Sequence, residues 1–292
     1  MISVVIPVAN EQETAGPLCR ALEAVLPSPY EIIFVDDGST DGTWDELAKL
    51  HDAGRVRAIR LRRNFGKTAA LQAGFAATRG DIVFTMDGDL QDDPQEIPHF
   101  LAMIEQGYDL VSGWKKHRQD PAGKVLASRL FNFVVGRVSG VRLHDVNCGF
   151  KAYRGEVARG LRLQGELHRF TPLLAHAMGY RVGELIVTHH PRRHGRSHYG
   201  FSRLFKGFID LMTVTLLTRY AHRPSHAFGL AALAALLTGI VLLFLPFWQF
   251  LFLGVTALLA GVVLLAAGFV AELLAYRASF DIPAYQVREQ LD

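Results

Sequence analysis

The 292-residue sequence is poor in cysteine: Cys19 and Cys148 lie far apart along the chain, and no Cys-x-x-Cys pair is present. This shortage disfavours a zinc ribbon and a disulfide framework. The dinucleotide-binding pattern Gly-x-Gly-x-x-Gly is also absent. Gly66-Lys67-Thr68 resembles the end of a phosphate-binding loop, but Leu61 stands where that loop requires glycine. Half of the residues are hydrophobic and a fifth are charged, which excludes a disordered chain.

The sequence divides into an acidic part and a basic part. Residues 1–110 hold 18 Asp and Glu against 9 Lys and Arg, whereas residues 111–292 hold 10 against 22. An acidic first part suits binding of a metal ion, and a basic second part suits phosphate groups or an anionic membrane surface. The basic part would also suit nucleic acid, but a long apolar run favours a membrane, so no nucleic-acid partner is predicted.

Charged residues are missing altogether from Ala227 to Ala271, a run of 45 residues. A membrane-spanning helix needs about 20 apolar residues, so this run has room for two. We predict spanning helices at 226–245 and 250–272, with a turn at Pro246–Gln249. The alternative is a hairpin buried in a soluble core, which is disfavoured because soluble helices rarely run so long without a polar face.

Arginines give the expected orientation of this hairpin. Arg219 and Arg223 precede it and Arg277 follows it, so the positive-inside rule places both ends in the cytoplasm. No basic segment precedes the short apolar run at Ile2–Ile6, so no signal peptide is predicted. We therefore expect a multi-pass protein of the cell membrane with a cytoplasmic N-terminal domain and free cysteine thiols.

Between that domain and the hairpin, Phe201–Tyr220 carries apolar residues at steps of three and four, which predicts an amphipathic helix. We expect this helix to lie in the membrane interface, with packing of its first half on the domain as the alternative. The predicted organisation is an N-terminal domain at 1–200, a juxtamembrane helix at 201–223, a two-helix hairpin at 224–276 and a cytoplasmic tail at 277–292. The tail is either an arm between subunits or frayed.

The first 113 residues alternate between strand-like and helix-like segments. Short β-branched runs predict strands at Ile2–Ile6, Glu31–Val35, Val56–Leu61, Asp81–Met86 and Asp109–Gly113, and helices are predicted at 12–25, 43–53, 67–78 and 95–106. This βαβ series predicts an α/β fold with a mostly parallel sheet and helices on both faces. Ligands of such sheets bind beyond the carboxyl ends of the strands.

Polar residues directly follow three of these strands. The strand ends are Pro7-Val-Ala-Asn10-Glu11, Asp36-Asp37-Gly and Asp87-Gly-Asp89-Leu-Gln91-Asp-Asp-Pro94. Two carboxylates that flank a glycine supply hard oxygen ligands for Mg²⁺ or Mn²⁺ on a diphosphate. Asp and Gly are also ordinary turn residues, so this interpretation gains its weight from the other two strand ends.

These strand ends resemble the family 2 glycosyltransferases with the GT-A fold, over residues 1–200. Further motifs resemble the subgroup similar to dolichol-phosphate mannose synthase, which includes bacterial polyprenyl-phosphate glycosyltransferases with a C-terminal membrane hairpin. Those motifs are Asn147-Cys-Gly-Phe-Lys151, Gly165-Glu-Leu-His-Arg169-Phe and His190-Pro-Arg-Arg-His-Gly-Arg-Ser197. The resemblance implies a Rossmann-like GT-A catalytic domain followed by an interfacial helix and two transmembrane helices.

The resemblance also implies roles for particular residues. The nucleotide-binding set is Pro7, Asn10, Glu11, Asp36, Asp37, Lys67, Asp87 and Gly88, and Asn64 is expected nearby. The metal set, for Mg²⁺ or Mn²⁺, is Asp87, Asp89 and Gln91. The set for the diphosphate or the acceptor phosphate is Lys115, Arg129, Arg192, Arg193, Arg196 and Ser197. Glu166 and His168 are expected to contact the sugar, whereas Asp92 and Asp93 are expected to be surface and cap residues.

The implied reaction is an inverting displacement on a nucleotide-diphosphate sugar by a phosphate oxygen of a polyprenyl (undecaprenyl) phosphate. Asp89 and Arg129 are expected to assist catalysis, and Asp145 is the candidate base or orienting residue. A UDP-sugar is favoured by analogy, and a homo-oligomer, such as a tetramer, that contacts membrane lipids is expected. The alternatives are a glycolipid synthase with a diacylglycerol-type acceptor and a non-catalytic scaffold that binds nucleotide sugar. A processive polysaccharide synthase is disfavoured because no tryptophan follows Gln-x-x-Arg.

Overall fold

The computed structural model describes residues 1–116, 143–191 and 287–291, with scattered positions at 132–141 and 209–277. The chain separates into two compact units, Met1–Arg203 with Pro283–Asp292, and Leu204–Ile282. The strands of the first unit are β1 (Ile2–Val8), β2 (Tyr30–Asp36), β3 (Arg57–Leu61), β4 (Ile82–Thr85), β5 (Leu110–Trp114), β6 (Lys151–Arg154), β7 (Val182–Ile186) and β8 (Val287–Leu291). Its helices are α1 (Ala15–Glu23), α2 (Thr43–Asp52), α3 (Lys67–Ala77), α4 (Ile97–Glu105), α5 (Gly155–Gly160) and α6 (Thr171–Ala177), with 3-10 turns at Pro94–Glu96 and Leu167–Phe170.

The described strands form one mixed sheet with a parallel block at its centre. The strand order is β7-β5-β6-β4-β1-β2-β3-β8. Strands β4, β1, β2 and β3 run parallel, while β6 lies antiparallel between β4 and β5, and β7 lies parallel to β5. The predicted α/β class and mostly parallel sheet are confirmed, and the ends of the five predicted strands shift by at most two residues.

The strand order reverses at β1, because β2 lies on one side of it and β4 lies on the other. Open α/β sheets bind ligands at such a reversal, in the crevice outside the carboxyl ends of the strands. In this chain that crevice lies between the loop after β1 and the loop after β4. The topology therefore brings Pro7–Glu11 beside Asp87–Asp89.

Helices cover both faces of β1, which is expected for a central parallel strand. Alternate residues from Ile2 to Val8 pack with α1, α2 and α4 in one core cluster. On the opposite face, α3 approaches so closely that a Cβ on Gly74 would lie 2.2 Å from Val5 Cγ1. Gly74 therefore sets the short distance between α3 and the sheet.

The end of the chain contributes an edge strand that the sequence analysis did not predict. Val287–Leu291 forms β8, which pairs antiparallel with β3, and Leu291 lies opposite Ala58. The pairing partner is more than 200 residues away in sequence, so no local pattern signals it. These tail residues are therefore part of the sheet rather than frayed.

The membrane predictions fall mostly outside the described residues. The spanning helix predicted at 226–245 lies outside them entirely, and the one at 250–272 is described only at scattered helical positions. Within the part of the chain that the structure describes, no helix has both the length and the apolar character needed to cross a bilayer. In the juxtamembrane segment, residues 211–215 are helical, as the amphipathic pattern predicts.

Candidate active site

The loops that follow β1 to β4 enclose a groove of about 420 Å³, which is within the size range of small-molecule sites. Its lining consists of Pro7, Val8, Ala9, Glu11, Asp37, Asn64, Gly66, Lys67, Asp87, Gly88 and Asp89. All of these except Val8, Ala9 and Gly66 were predicted from the sequence as site residues. Those three contribute apolar or backbone surface, and their residue types carry no chemical signal.

Asp87 lies in this groove between a lysine and a glycine. Its carboxylate forms an ion pair with Lys67, the first residue of α3, and both side chains are 33% exposed. A Cβ on Gly149 would come within 2.8 Å of both Asp87 carboxylate oxygens, so the approach requires glycine. The Asn147–Lys151 motif therefore contributes to the site by leaving room for Asp87.

The two adjacent aspartates at the end of β2 have different environments. The Asp37 carboxylate accepts hydrogen bonds from the backbone N–H groups of Phe65 at 2.7 Å and Gly66 at 2.8 Å. Burial raises the pKa of Asp37, although both amides oppose the shift. Asp36 is fully buried and accepts a 2.9 Å hydrogen bond from the N–H of Ser39, so it shapes the turn and is not part of the groove lining.

Asn10 also lies outside the groove lining and joins two loops. Its backbone has a φ of 59°, a left-handed conformation that asparagine tolerates. The Asn10 N–H donates to Ser39 Oγ at 2.9 Å, and Asn10 Oδ1 accepts from the N–H of Thr40 at 2.9 Å. Glu11 does line the groove, and its N–H donates to Thr43 Oγ1 at the start of α2.

The acidic loop after β4 is held by contacts with the chain at His190. Leu90 has a φ of 60°, which is rare for a residue with a branched side chain. The carbonyl of Gln91 accepts a 2.8 Å hydrogen bond from His190 N–H, and Gln91 Nε2 donates to His190 O at 3.2 Å. The same loop is closed by a 3.2 Å hydrogen bond from Gln91 N–H to Asp89 Oδ1. These contacts connect the predicted metal ligands to the segment that leads into residues 192–197.

Asp92 and Lys115 form a buried ion pair, with 2.7 Å between Lys115 Nζ and Asp92 Oδ1 and side-chain exposures of 8% for Lys115 and 0% for Asp92. Burial alone would raise the pKa of Asp92, but Lys115 and nearby His189 hold it well below its usual range. The prediction of Asp92 at the surface was wrong, whereas Asp93 caps the 3-10 turn at Pro94–Glu96 as predicted. Because Lys115 is committed to Asp92, we do not retain it as a phosphate ligand.

A smaller cavity shares Lys67 with the groove and extends to β6. It is lined by Lys67, Leu71, Thr85, Asn147, Cys148, Gly149, Lys151, Tyr153 and His168. His168 Nδ1 lies 2.7 Å from Thr68 Oγ1, which anchors the imidazole on the start of α3. The other predicted sugar residue, Glu166, is exposed and pairs with Arg169 at 2.6 Å, outside both cavities.

Lys151 is a fully buried lysine in this cavity, to which the sequence analysis gave no role. Its ammonium donates to the carbonyl of Cys148, and Asp145 and Asp87 are its nearby carboxylates. Burial lowers the pKa of Lys151 to about 8, because the charged form loses its hydration inside the domain. Lys151 ends the Asn147–Lys151 motif, but nothing in that motif indicates that the lysine is buried.

This burial predicts a pH-dependent stability. The ordinary lysine pKa is 10.5, so between pH 8 and 10.5 the unfolded chain binds more protons at this site, and the free energy of unfolding rises with pH. Between pH 8 and 10.5 this site should raise the free energy of unfolding of the wild-type protein by about 3 kcal/mol, and Lys151→Met should lack this rise. Denaturation curves of the two proteins, recorded across this pH range, measure the difference. Cys148 and Tyr153, whose pKa values burial raises to about 12, contribute in the opposite direction in both proteins.

The exposed Lys49, whose side chain is 74% accessible, provides the matched control for that experiment. Lys49→Met should leave the pH dependence of unfolding at its wild-type slope. An unchanged slope in Lys151→Met would contradict the assignment of the pH dependence to the buried ammonium.

Of the remaining predicted site residues, Asp145 and Gly88 are described by the structure and the others are not. Asp145 is 4% exposed, and its N–H donates to Glu184 Oε1 at 2.9 Å. Gly88 is buried, and a Cβ there would lie 2.7 Å from Val8 Cγ1. Five members of the phosphate set lie outside the described residues: Arg129, Arg192, Arg193, Arg196 and Ser197.

Asp87 and Asp89 are the groove residues that could hold a divalent cation. Among the described residues, no three or more His, Cys, Asp or Glu side chains are grouped so as to hold a metal ion. Mg²⁺ sites that also bind phosphates commonly use one or two carboxylates and take the other ligands from substrate and water. Asp87 and Asp89 supply two such carboxylates at the groove, and Gly149 leaves the necessary space around Asp87.

Comparison with known proteins gives the family. The model described as "Glycosyl transferase family 2" matches residues 3–162, which is more than half of the chain. The chain belongs to glycosyltransferase family 2. A dodecaprenyl-phosphate galacturonate synthase of Rhizobium johnstonii is 39% identical to this family 2 chain, covering 100% of the chain and 93% of that relative.

Two further comparisons extend this result. An undecaprenyl-phosphate 4-deoxy-4-formamido-L-arabinose transferase of Pseudomonas fluorescens is 40% identical over 80% of this chain and 70% of its own length. The crystal structure of glucosyl-3-phosphoglycerate synthase from Mycobacterium tuberculosis has 21% identity and a TM-score of 0.57, covering 75% of this chain and 79% of its own. The structural likeness confirms the predicted GT-A fold of this glycosyltransferase.

Proposed function

We propose that this family 2 glycosyltransferase transfers a sugar from a nucleotide-diphosphate sugar to a polyprenyl phosphate. The observation that carries the proposal is the acidic groove at the strand-order reversal, in which Asp87, Asp89 and Lys67 line one space. The two relatives near 40% identity, whose names contain a polyprenyl phosphate, support the choice of acceptor.

The groove offers suitable chemistry for a nucleoside diphosphate along its length. Asp37 and Glu11 provide carboxylates near the ends of β1 and β2, where they would accept hydrogen bonds from the base and ribose. Lys67 stands at the start of α3 and would meet the diphosphate with its ammonium and the adjacent helix N-terminus. Because Lys67 already pairs with Asp87, the diphosphate would share this lysine with that carboxylate. We propose a UDP-sugar as the donor.

Asp87 and Asp89 would hold a divalent metal ion, with Gln91 as a further ligand. A bound Mg²⁺ or Mn²⁺ would stabilise the negative charge that develops on the leaving diphosphate. A structure of the similar glucosyl-3-phosphoglycerate synthase contains Mn²⁺ and UDP-glucose, which supports the presence of a metal in this fold.

The acceptor needs little help to become a nucleophile. A phosphate monoester has a second pKa near 6, so it is largely dianionic at neutral pH. Asp145 would therefore orient the acceptor or the sugar rather than remove a proton. Direct attack on the anomeric carbon would invert its configuration. Arg129, Arg192, Arg193 and Arg196 would neutralise the phosphate groups, and the Ser197 hydroxyl would donate a hydrogen bond to them.

A polyprenyl phosphate resides in a membrane, so its glycosylation takes place at the bilayer surface. The proposed hairpin at 224–276 and the amphipathic helix before it would hold the catalytic domain at the cytoplasmic face of the cell membrane, in contact with lipids. We propose a homo-oligomer, such as a tetramer, for this membrane-bound state.

The test is an endpoint assay on the full-length protein purified in detergent. UDP-galacturonic acid, UDP-glucose, UDP-4-deoxy-4-formamido-L-arabinose and GDP-mannose are each supplied with Mg²⁺ or Mn²⁺, with and without undecaprenyl phosphate, and lipid products are identified by mass spectrometry. We expect one lipid-phosphate-sugar that requires both the metal and the acceptor.

Other outcomes would replace this function. A product formed on diacylglycerol but not on undecaprenyl phosphate would make the protein a glycolipid synthase. Binding of nucleotide sugar, measured by calorimetry, without any lipid product across the panel would favour the non-catalytic scaffold.

A further inference from the structure

We propose that Glu184 is a positioning residue that fixes Asp145 in the loop at 143–149, whose residues Asn147, Cys148 and Gly149 line the smaller cavity. The inference rests on the proposed function, in which Asp145 orients the reacting groups. Glu184 itself does not line the groove or the smaller cavity, so it would act through the loop that carries Asp145.

Glu184 lies in β7, where it pairs with Ser112 of β5, and its side chain is 11% exposed. Glu184 Oε1 accepts hydrogen bonds from the backbone N–H groups of His144 at 2.8 Å and Asp145 at 2.9 Å. Its Oε2 lies 3.0 Å from His144 N and 2.8 Å from His144 Nδ1. One carboxylate thus binds two successive backbone amides and an imidazole.

His144 also makes contacts with Trp114 and Asn132. Its ring stacks on Trp114, the last residue of β5, with 4.0 Å between ring centroids and 12° between planes. The Asn132 side-chain amide donates to the carbonyl of His144. The residue beside Asp145 is therefore fixed at its amide, its carbonyl and its side chain.

The loop at 143–149 has neither helix nor strand structure, so its amides depend on such side-chain acceptors. Hydrogen bonds to a charged acceptor are the stronger kind and contribute about 1.5–3 kcal/mol each. Asp145 is almost fully buried, so it has little freedom once its backbone is fixed. A displacement of about 1 Å in a reacting arrangement can reduce the rate about 100-fold.

Glu184→Gln keeps the size of the side chain but removes its negative charge, so the two backbone amides lose a charged acceptor and one of the two carboxylate oxygens becomes an NH₂ group. We expect kcat for lipid-linked sugar formation to fall roughly 10- to 100-fold, with the KM for the nucleotide sugar within about twofold of wild type. If Glu184 acts through Asp145, the double variant with Asp145→Asn should lose no more activity than Asp145→Asn alone.

Asp109 provides the matched control, because it makes the same kind of contact at the other end of β5 and β7. Asp109 Oδ2 accepts from the N–H of Arg181 at 2.8 Å, and Oδ1 accepts from Arg154 Nε at 3.1 Å. Asp109→Asn should lower stability to a similar extent as Glu184→Gln, yet retain the wild-type kcat.

Hydrogen exchange measures the anchoring independently of turnover. In the full-length protein, exchange of the peptide spanning 143–149 should be at least tenfold faster in Glu184→Gln and unchanged in Asp109→Asn. Unchanged exchange in Glu184→Gln, or losses of activity that add in the double variant, would overturn the inference. The exchange result decides the anchoring even if the wild-type protein forms no lipid-linked sugar, an outcome that would instead reject the proposed function.

Discussion

Asp89→Asn is expected to reduce formation of the lipid-linked sugar roughly 1,000-fold while leaving the protein folded. Asp89 is partly exposed at the groove, and asparagine matches its size, so the substitution removes charge without opening a cavity. The substitution removes the negative charge that would bind the cation beside the leaving diphosphate. Turnover measured by mass spectrometry, together with the melting temperature, separates this loss from unfolding.

The same loop offers a matched control for Asp89→Asn. Asp93 accepts a 3.0 Å hydrogen bond from Gln95 N–H, and an asparagine oxygen can accept it as well. Asp93→Asn should therefore retain turnover within a few-fold of wild type. Near-wild-type transfer by Asp89→Asn, or an equal loss in Asp93→Asn, would contradict a metal-binding role for Asp89.

The comparison with Asp145 tests how the acceptor is activated. Asp145→Asn should lose less activity than Asp89→Asn, because a phosphate dianion attacks without a base. The ratio of the two rates should stay constant above pH 7, where the acceptor remains dianionic. A larger loss in Asp145→Asn than in Asp89→Asn would indicate that a base is required after all.

The sequence predicted the parallel half of the sheet well because each of its strands is a short apolar run followed by a helix. The same periodicity does not report β6, which enters between β4 and β5 in the antiparallel direction. It does not report β8 either, because that strand pairs with β3 across most of the chain. Local patterns therefore predicted the β–α–β units, whereas the positions of β6 and β8 depend on pairing between residues that are distant in sequence.

The groove residues were also predicted from local sequence, by their position after the strands. Side chains in the loops that follow parallel strands, such as Asp37 and Asp87, lie at the carboxyl-end edge of the sheet, where the groove is. The family resemblance placed Lys115 in the phosphate set, and its charge gave no sign that it pairs with the buried Asp92. Asp36 and Asp37 show the same difficulty, because adjacent residues point into different environments.

The Lys115–Asp92 pair gives the largest predicted effect on stability. Lys115→Met leaves the fully buried Asp92 carboxylate with the more distant His189 in place of the lysine ammonium, and breaking a buried pair in this way costs about 3–5 kcal/mol. A phosphate ligand at the surface would behave differently: its loss would raise the KM for the acceptor and leave unfolding unchanged. Chemical denaturation of the full-length protein in detergent, followed by tryptophan fluorescence, distinguishes the two results.

Two further variants test whether the ion pair of Lys115 stabilises the fold. Removing both charges in Asp92→Asn/Lys115→Met should recover much of the lost free energy of unfolding, because no uncompensated charge stays buried. Lys116→Met changes the neighbouring exposed lysine and should alter unfolding by less than about 0.5 kcal/mol. If Lys115→Met unfolds like wild type and only weakens acceptor binding, the ion pair is not structural and Lys115 returns to the phosphate-binding set.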